Sequence, residues 1–142
     1  MNVAQILQVK GPTVHSVYSD QTSAEAVSVL NAQNIGAVVV LDRDEKVVGI
    51  VSERDIVRRL EDDRFTVLAA PVANTMTAKP IVCDLESTLD DMLEIMTQSR
   101  IRHLPIVHEQ KLVGLLSIGD LVKLKIRLIE NEAAALRDYI AT

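Results

Sequence analysis

Two segments, Ser52-x-x-Asp55 and Ser117-x-x-Asp120, place a serine and an aspartate at the start of a predicted helix, each after an apolar stretch that opens with glycine. A helix N-terminus has unpaired amides and a partial positive charge, so it attracts phosphate. A carboxylate there can accept two hydrogen bonds from a ribose diol. The same spacing makes a capping box, in which the hydroxyl and the carboxylate satisfy helix amides. Both roles stay open, and they are compatible.

The second candidate is the cluster Arg-Ile-Arg-His-Leu-Pro at residues 100–105, directly before a predicted strand. The planar guanidinium of Arg102 can bind phosphate through two parallel hydrogen bonds, and an unperturbed His103 would titrate near neutral pH. The alternative is a solvated charged edge. Because Gly36 and Ala37 take the corresponding places in the first half of the chain, two phosphate sites built this way would not be equivalent.

The chain offers little for catalysis. Cys83 is its one cysteine and stands in an apolar stretch, which favours a half-buried, unreactive thiol and excludes an internal disulfide. The three histidines show no metal-ligand spacing, and there is no glycine-rich phosphate loop. Nucleophilic catalysis needs a base beside the nucleophile, so we expect neither an enzyme nor a metal site.

The overall composition narrows the class of partner. With 15 basic and 20 acidic residues, no Trp, one Phe and two Tyr, the chain lacks the basic surface and the aromatic platforms of nucleic-acid-binding proteins. Its apolar stretches are too short to span a bilayer, and its N-terminus does not resemble a signal peptide. We therefore expect a cytoplasmic globular protein that binds neither nucleic acid nor membrane.

An internal repeat organises the chain. Residues 49–57 match residues 114–122, and further upstream Thr22 matches Thr88. We predict two domains, residues 1–70 and 71–142, each with the order β-α-β-β-α. The fold class is α/β (α+β), with the two repeats related by a pseudo-twofold. Pairing the repeats buries the open sheet face that one unit alone would expose.

Strand and helix patterns recur in both units. β-branched runs predict two hairpins and two shorter strands. The hairpins pair 37–41 with 47–51 and 104–107 with 112–116, and the shorter strands lie at 14–17 and 81–83. After each short strand a threonine precedes an acidic residue by three positions (Thr22 with Glu25, Thr88 with Asp91), which predicts a helix that begins with a capping box.

After Asp120 the chain is predicted to form one long C-terminal helix. One apolar stripe has the alternating four-and-three spacing of a coiled-coil seam, and it consists of Val122, Ile126, Ile129, Ala133, Leu136 and Ile140. A second stripe beside it consists of Leu121, Leu124 and Leu128. Two stripes suit a helix that packs on its own domain and on a neighbouring chain. They equally suit a helix that only folds back on the core.

These features together resemble the CBS domain, named from cystathionine β-synthase. The likeness rests on the two Gly-x-x-Ser-x-x-Asp segments, on Ile-Arg-His-Leu-Pro-Ile-Val at residues 101–107 and on Val-Ala-Asn-Thr-Met-Thr at residues 72–77. It covers about residues 3–123, and Leu-Arg-Asp-Tyr-Ile at residues 136–140 resembles the tail of short stand-alone bacterial members. Two such domains in tandem resemble a Bateman module.

The resemblance implies clefts that bind AMP, ADP, ATP or NAD(H) as a regulatory ligand. It implies that Asp55 and Asp120 hold the ribose and that Ser52 and Ser117 are the adjoining hydroxyls. Gly119 departs from the basic residue that some nucleotide-binding members have at its position.

The resemblance also implies that groups for a phosphate come from the opposite repeat. Arg102 and His103 would then lie across from Asp55, and Arg54 across from Asp120. Adenine would lie against strand backbones near Ser16 and Ala37 in one cleft and near Ile81 and Leu104 in the other.

Three classes of function follow. The leading hypothesis is a non-catalytic sensor that binds an adenine nucleotide between the repeats and signals to a separate, unknown effector protein. The resemblance implies a homodimer, a flat disc of four repeats, for this sensor. The alternative is a ligand-independent assembly scaffold, in which the Ser-x-x-Asp segments only cap helices. An enzyme is the third class, and it has the least support in the residues.

Overall fold

The computed structural model describes residues 1–64 and 66–141, and over these ranges the chain forms two α/β units. The first part of the chain contains α1 (Val3–Lys10), β1 (Ser16–Tyr18), α2 (Ser23–Gln33), β2 (Ala37–Leu41), β3 (Val47–Ser52) and α3 (Glu53–Asp63). The second contains a 3-10 turn (Val72–Asn74), β4 (Thr77–Ala78), α4 (Leu89–Ser99), β5 (His103–His108), β6 (Lys111–Ser117) and α5 (Ile118–Ala141). The predicted α/β class, the repeated hairpins and the long C-terminal helix are confirmed.

Each unit is built on a small sheet with matching register. In the first, β1 runs parallel to β2, and β2 and β3 are antiparallel, with β4 added at the edge. In the second, β5 and β6 are antiparallel, and Cys83 makes a single parallel bridge to Ile106. Val17 pairs with Val40 in the first sheet as Cys83 pairs with Ile106 in the second, so the two sheets share one topology.

The short strands differ from the predicted ones. The first lies at Ser16–Tyr18 and not at 14–17, and the predicted strand at 81–83 is reduced to its last residue. Cys83 donates its amide to the Pro105 carbonyl at 3.0 Å and accepts from the Val107 amide at 2.9 Å. The next bond of a parallel ladder would need an N–H from Pro105, and proline has none. Pairing therefore stops at Cys83.

The predicted capping boxes after the short strands are half confirmed. Thr88 accepts from the Asp91 amide at 3.1 Å, and the Asp91 carboxylate accepts from the Thr88 amide at 3.2 Å, which completes the box. Thr22 also accepts from the Glu25 amide, at 3.1 Å. The reciprocal bond predicted for Glu25 is wrong, because its carboxylate accepts from the side-chain amide of Gln21 at 2.9 Å instead.

The two hydrophobic cores exchange segments of the chain. Val3 and Ile6 of α1 are fully buried in the core of the second unit, while Val72 is fully buried in the core of the first. Backbone hydrogen bonds hold both crossings, from the Val3 amide to the Ser87 carbonyl at 2.9 Å and from the Ala73 amide to the Ser19 carbonyl at 3.1 Å. Each core thus includes a segment from the other side of residue 70, and the division into domains at residues 70 and 71 stays a prediction.

Two strand glycines make room for the exchanged segments. A Cβ on Gly114 would lie 2.6 Å from Cδ2 of Leu7, which directly follows the buried residue Ile6 in α1. A Cβ on Gly49 would overlap Sδ of Met76 and lie 3.0 Å from the backbone oxygen of Thr77. The equivalent glycines of the two repeats are therefore the points at which a crossing segment approaches the sheet most closely.

Helix α5 packs one stripe and leaves the other exposed. Leu121 and Leu124 are buried in the second core, and Leu128 packs partly against it. The exposed members of the predicted seam include Val122 at 41%, Ile126 at 52% and Ile129 at 52%. The predicted packing of one stripe on the chain's own core is confirmed, and the seam of this chain faces outward. No helix among residues 1–64 and 66–141 is long and apolar enough to cross a membrane.

Candidate functional site

Both Ser-x-x-Asp segments form complete capping boxes. The Ser52 amide donates to Asp55 Oδ2 at 2.8 Å, and the Asp55 amide donates to Ser52 Oγ at 3.2 Å. The corresponding distances between Ser117 and Asp120 are 2.9 Å and 3.1 Å. Each carboxylate is held in a fixed orientation at the first turn of its helix, α3 or α5. Capping is thus confirmed, and it leaves part of each carboxylate available for a ligand.

The start of each helix is tied to the strand that begins the hairpin. The Glu53 amide donates to the Gly36 carbonyl at 3.0 Å, and the Ile118 amide donates to the Arg102 carbonyl at 2.8 Å. As a result, Ala37 lies opposite Ser52 in the first sheet, and His103 lies opposite Ser117 in the second. Both repeats bring a strand start and a helix start to the same edge.

A cavity of about 510 Å³ lies where these edges of the two units meet. The second repeat contributes His103, Leu115, Ser117 and Asp120. The first repeat contributes Thr13, Val14, His15, Asn34, Ile35, Gly36 and Ala37, and α1 contributes Lys10. The cavity is large enough for a small organic ligand, and residues of both repeats line it.

The cavity gathers four of the residues predicted from the sequence, namely Ser117, Asp120, His103 and Ala37. It ends one residue short of Ser16, which is exposed. Six further predicted residues, all in the described part of the chain, do not line this cavity. They are Ser52, Asp55, Arg54, Arg102, Ile81 and Leu104. Leu104 is fully buried, whereas Arg54, Arg102 and Ile81 are exposed.

Lys10, the last residue of α1, is the functional candidate that the sequence did not reveal. Its ammonium group lies 2.7 Å from Asp120 Oδ2 and also donates to the Leu115 carbonyl at 2.5 Å. The side chains of both ion-pair partners are about one-third exposed, at 37% for Lys10 and 33% for Asp120. The pair stands in the wall of the cavity.

Asp120 is ionised at neutral pH. Burial alone would raise the pKa of its carboxyl group, but hydrogen bonds from Lys10 and Ser117, with the positive charge of Lys10, outweigh burial and hold the pKa below its usual value. The cavity thus presents a carboxylate, which acts as an acceptor.

His103 is neutral at neutral pH. Burial lowers the pKa of its imidazole most, the positive charges of Lys10 and Arg102 lower it further, and Asp120 and Asp55 act in the opposite direction. The resemblance set His103 across from Asp55. Although Asp55 is near enough to act on its pKa, the imidazole lines the cavity of Asp120, because its strand partner Ser117 begins the helix that carries Asp120.

The cavity offers a ligand both ionic and hydrogen-bonding groups. Apolar and backbone surface surrounds one carboxylate, one ammonium group and two imidazoles, those of His103 and His15. Burial raises the pKa of the Cys83 thiol, which keeps it protonated and unreactive, and Cys83 is not among the residues that line the cavity. Within residues 1–64 and 66–141 the acidic, histidine and cysteine side chains form no group that could hold a metal ion.

Fold and cavity together define a tandem α/β repeat with a cleft at its seam. A family model described as the CBS domain matches residues 8–62 and 72–127. The chain belongs to the CBS domain family, and the resemblance seen in the sequence is confirmed.

Solved structures and a curated relative agree with this assignment. CBS-domain proteins from Agrobacterium tumefaciens and Burkholderia ambifaria MC40-6 are 40% and 37% identical to this chain, with TM-scores of 0.83 and 0.82. The alignments cover 88% and 89% of this chain and 99% and 95% of those chains. The CBS domain-containing protein YhcV of Bacillus subtilis is 31% identical over 85% of this chain and 83% of its own length.

Two more distant structures share the fold and contain ligands. CBSX2 in complex with AMP is 22% identical, with a TM-score of 0.74 over 89% of this chain and 97% of its own. A CBS domain pair in complex with 5′-methylthioadenosine and S-adenosyl-L-methionine is 23% identical, with a TM-score of 0.77 over 87% of this chain and 94% of its own.

Proposed function

We propose that this CBS pair is a non-catalytic regulatory sensor that binds an adenine nucleotide in the cleft between its repeats. The observation that carries it is the ionised Asp120, held by a capping box at the edge of a cavity that both repeats line. A ribose diol presents two hydroxyl donors, and a fixed carboxylate is the acceptor that suits them. AMP and other adenosine derivatives bound to proteins of the same fold support this ligand class.

Each wall of the cleft has a part in this proposal. Asp120 accepts from the ribose, Ser117 supplies the adjoining hydroxyl, and neutral His103 exchanges a hydrogen bond with the ligand. Adenine lies against the apolar wall near Ala37 and Leu115. In the equivalent half of the module, Asp55 and Ser52 have the same capping geometry and would form a second site, with Arg102 and the backbone of Ile81 as further contacts. The backbone of Ser16, next to the cavity, and Arg54 would extend the site at Asp120.

Signalling follows from the position of the cleft. A ligand that bridges two repeats stabilises one angle between them, since it can shift the equilibrium only by binding one arrangement more tightly. We propose that two chains pair through the exposed seam of α5 and that a separate effector protein responds to the resulting change. Which of AMP, ADP, ATP or NAD(H) acts in this way depends on how the phosphates are bound.

Ligand-induced thermal stabilisation tests the proposal. A nucleotide present at about 100 times its Kd raises the free energy of unfolding by about 2.7 kcal/mol, because it binds only the native state. We expect AMP, ATP or NADH to raise the melting temperature of the wild type and to lose most of this effect in Asp120→Ala. The shift is measured relative to each unliganded protein, since removal of a cap itself costs about 1 kcal/mol.

Asp90→Ala is the matched control, because Asp90 forms an ion pair with Lys125 at 2.9 Å, away from the cleft. It should keep the full nucleotide shift. Asp55→Ala measures the contribution of the equivalent carboxylate. If none of the nucleotides shifts the wild type, or if Asp120→Ala retains the shift, the sensor proposal is wrong.

A ligand-independent scaffold is the second candidate. The complete capping boxes account for both serines and both aspartates without a ligand, and the exposed seam of α5 offers an assembly surface. This function is supported if the protein forms a stable dimer and if no nucleotide changes the melting temperature of the wild type.

A further inference from the structure

The ion pair between Lys10 and Asp120 separates two cavities. The larger one, about 510 Å³, is the cleft between the repeats. The smaller one, about 190 Å³, lies between α1 and α5, and its wall includes Lys10 and Asp120 together with Ile6, Val9, Lys123, Leu124 and Arg127. A side chain that lines both cavities can contact a ligand in either one. Lys10 is therefore placed to change partners.

The same ion pair conflicts with ligand binding. Asp120 Oδ2 already accepts from Lys10 and from the Ser117 amide, so a ribose diol that engages both carboxylate oxygens has to compete with the ammonium for Oδ2. An ammonium displaced from Asp120 keeps only the Leu115 carbonyl among the partners described for it. The Lys10 side chain is 37% exposed, so water compensates part of the lost counter-charge, and an anionic group on the ligand compensates it more fully.

We propose that Lys10 makes the cleft select a phosphorylated nucleoside, by leaving Asp120 to the ribose and binding the phosphate of the same ligand. This inference rests on the proposed nucleotide-binding function and extends it. A 5′-phosphate is joined to the ribose that Asp120 holds, so it arrives within reach of the displaced ammonium. Lys10 is accordingly a specificity-determining residue.

The charges around Lys10 favour an anion where the cleft meets the smaller cavity. His103 is neutral and adds no charge to the cleft. Lys123 and Arg127 line the adjoining cavity, so cations outnumber the single carboxylate there. A neutral nucleoside would displace Lys10 without replacing its counter-charge, whereas a nucleotide brings that charge with it.

Helix α1 keeps Lys10 in place during this exchange. Val3 and Ile6 anchor the helix in the second core, so the exchange requires only rotation of a flexible four-carbon side chain. Lys10 and Asp120 meet only because α1 crosses into the second unit. The proposed selectivity therefore depends on this exchange of segments.

Calorimetric titration of AMP and adenosine against the wild type and Lys10→Met tests the inference. Methionine keeps the apolar length of the side chain and removes the charge. We expect the wild type to prefer AMP, and Lys10→Met to lose about tenfold or more of that preference, the size of one charge-assisted hydrogen bond. The affinity for adenosine should stay the same or rise, because Asp120 is released. Lys125→Met, which removes the surface ion pair with Asp90, should leave both affinities unchanged.

Each outcome has one meaning. If AMP and adenosine weaken equally in Lys10→Met, Lys10 is only structural and the inference is wrong, while nucleotide binding stands. The same holds if the preference for AMP is unchanged. If the wild type binds neither ligand, the selectivity of Lys10 is wrong, and the proposed function fails as well if ATP and NADH also leave the melting temperature unchanged.

Discussion

Asp55 and Asp120 occupy equivalent positions in the two repeats, yet their surroundings differ. Both are oriented by a serine at the helix start, but Asp120 has the ammonium of Lys10 at 2.7 Å and the imidazole of His103 in the same cavity. Ala37 stands where His103 stands in the other repeat. The two repeats thus have equivalent carboxylates, and a ligand should bind them with different affinities.

The sequence predicts only part of the site. Ser117, Asp120 and His103 stand next to recognisable helix and strand starts, so local pattern is enough to find them. Lys10 is 110 positions from Asp120 along the chain and meets it only because α1 crosses to the second unit. No local pattern contains that contact.

The lowered pKa of His103 predicts a pH-dependent stability. The unfolded chain protonates this histidine near its ordinary pKa of 6.5, and the folded protein does so only at lower pH. The free energy of unfolding should therefore fall as the pH decreases from about 6.5 through the folded-state pKa. Lys10 and Arg102 increase this effect, and Asp120 and Asp55 oppose it.

Urea denaturation at pH 5 to 8 measures the pH effect. His103→Gln cannot take up the proton, so its unfolding midpoint should fall less steeply below pH 6.5 than that of the wild type. Parallel curves for the two proteins would show that His103 does not control the change. The lowered pKa of Asp120 acts in the same direction but near and below pH 4, outside this range.

At the scale of elements, the hairpins and helices follow from the sequence better than the short strands do. The hairpins are predicted by runs of β-branched residues and the helices by capping residues, and both signals lie within the element itself. The strand predicted at 81–83 is cut to one residue, because Pro105 on its neighbour has no amide to donate. A strand's length thus depends on its partner, which the strand's own residues do not reveal.

Gly49 and Gly114 predict unequal costs for the same substitution. Gly49→Ala would place a methyl group against Met76 and 3.0 Å from the Thr77 backbone oxygen, which cannot easily move. Gly114→Ala meets only the end of the Leu7 side chain. We expect Gly49→Ala to lower the free energy of unfolding by about 1–3 kcal/mol and Gly114→Ala by less.

Chemical denaturation of these variants tests the close approach of the exchanged segments. Gly119→Ala is the control, because its new Cβ would have no neighbour nearer than Ser117 Oγ at 3.6 Å and it lies in a helix, where alanine is preferred. Equal losses for Gly49→Ala and Gly119→Ala would contradict the explanation.

At the scale of the whole molecule, α5 carries the largest unpartnered apolar feature described above. Its inner stripe is buried, while Leu136 and Ile140 of its last turns are 60% and 73% exposed. On the first repeat, Val57 of α3 is also 65% exposed. Apolar faces of this kind mark association surfaces in soluble proteins. The spacing predicted this seam, and only packing could show which of its two stripes faces outward.

A double substitution on the seam should separate the proposed dimer. Ile126→Glu with Ile129→Glu places two charges in an apolar interface, so the mass in analytical ultracentrifugation should fall from that of two chains to that of one. Leu68→Glu, at a side chain that is 45% exposed in the connecting segment, should leave the dimer intact. An unchanged mass in the double variant would place the interface elsewhere.

The crossing of α1 and of residues 72–78 determines how the molecule can be assembled during synthesis. The first core closes only after translation has passed Val72, and α1 is buried only after the second unit has been made. Such sequence-distant contacts slow folding and oppose stable half-folded states. We expect neither half, expressed separately, to give a folded protein, and the whole chain to melt in one transition.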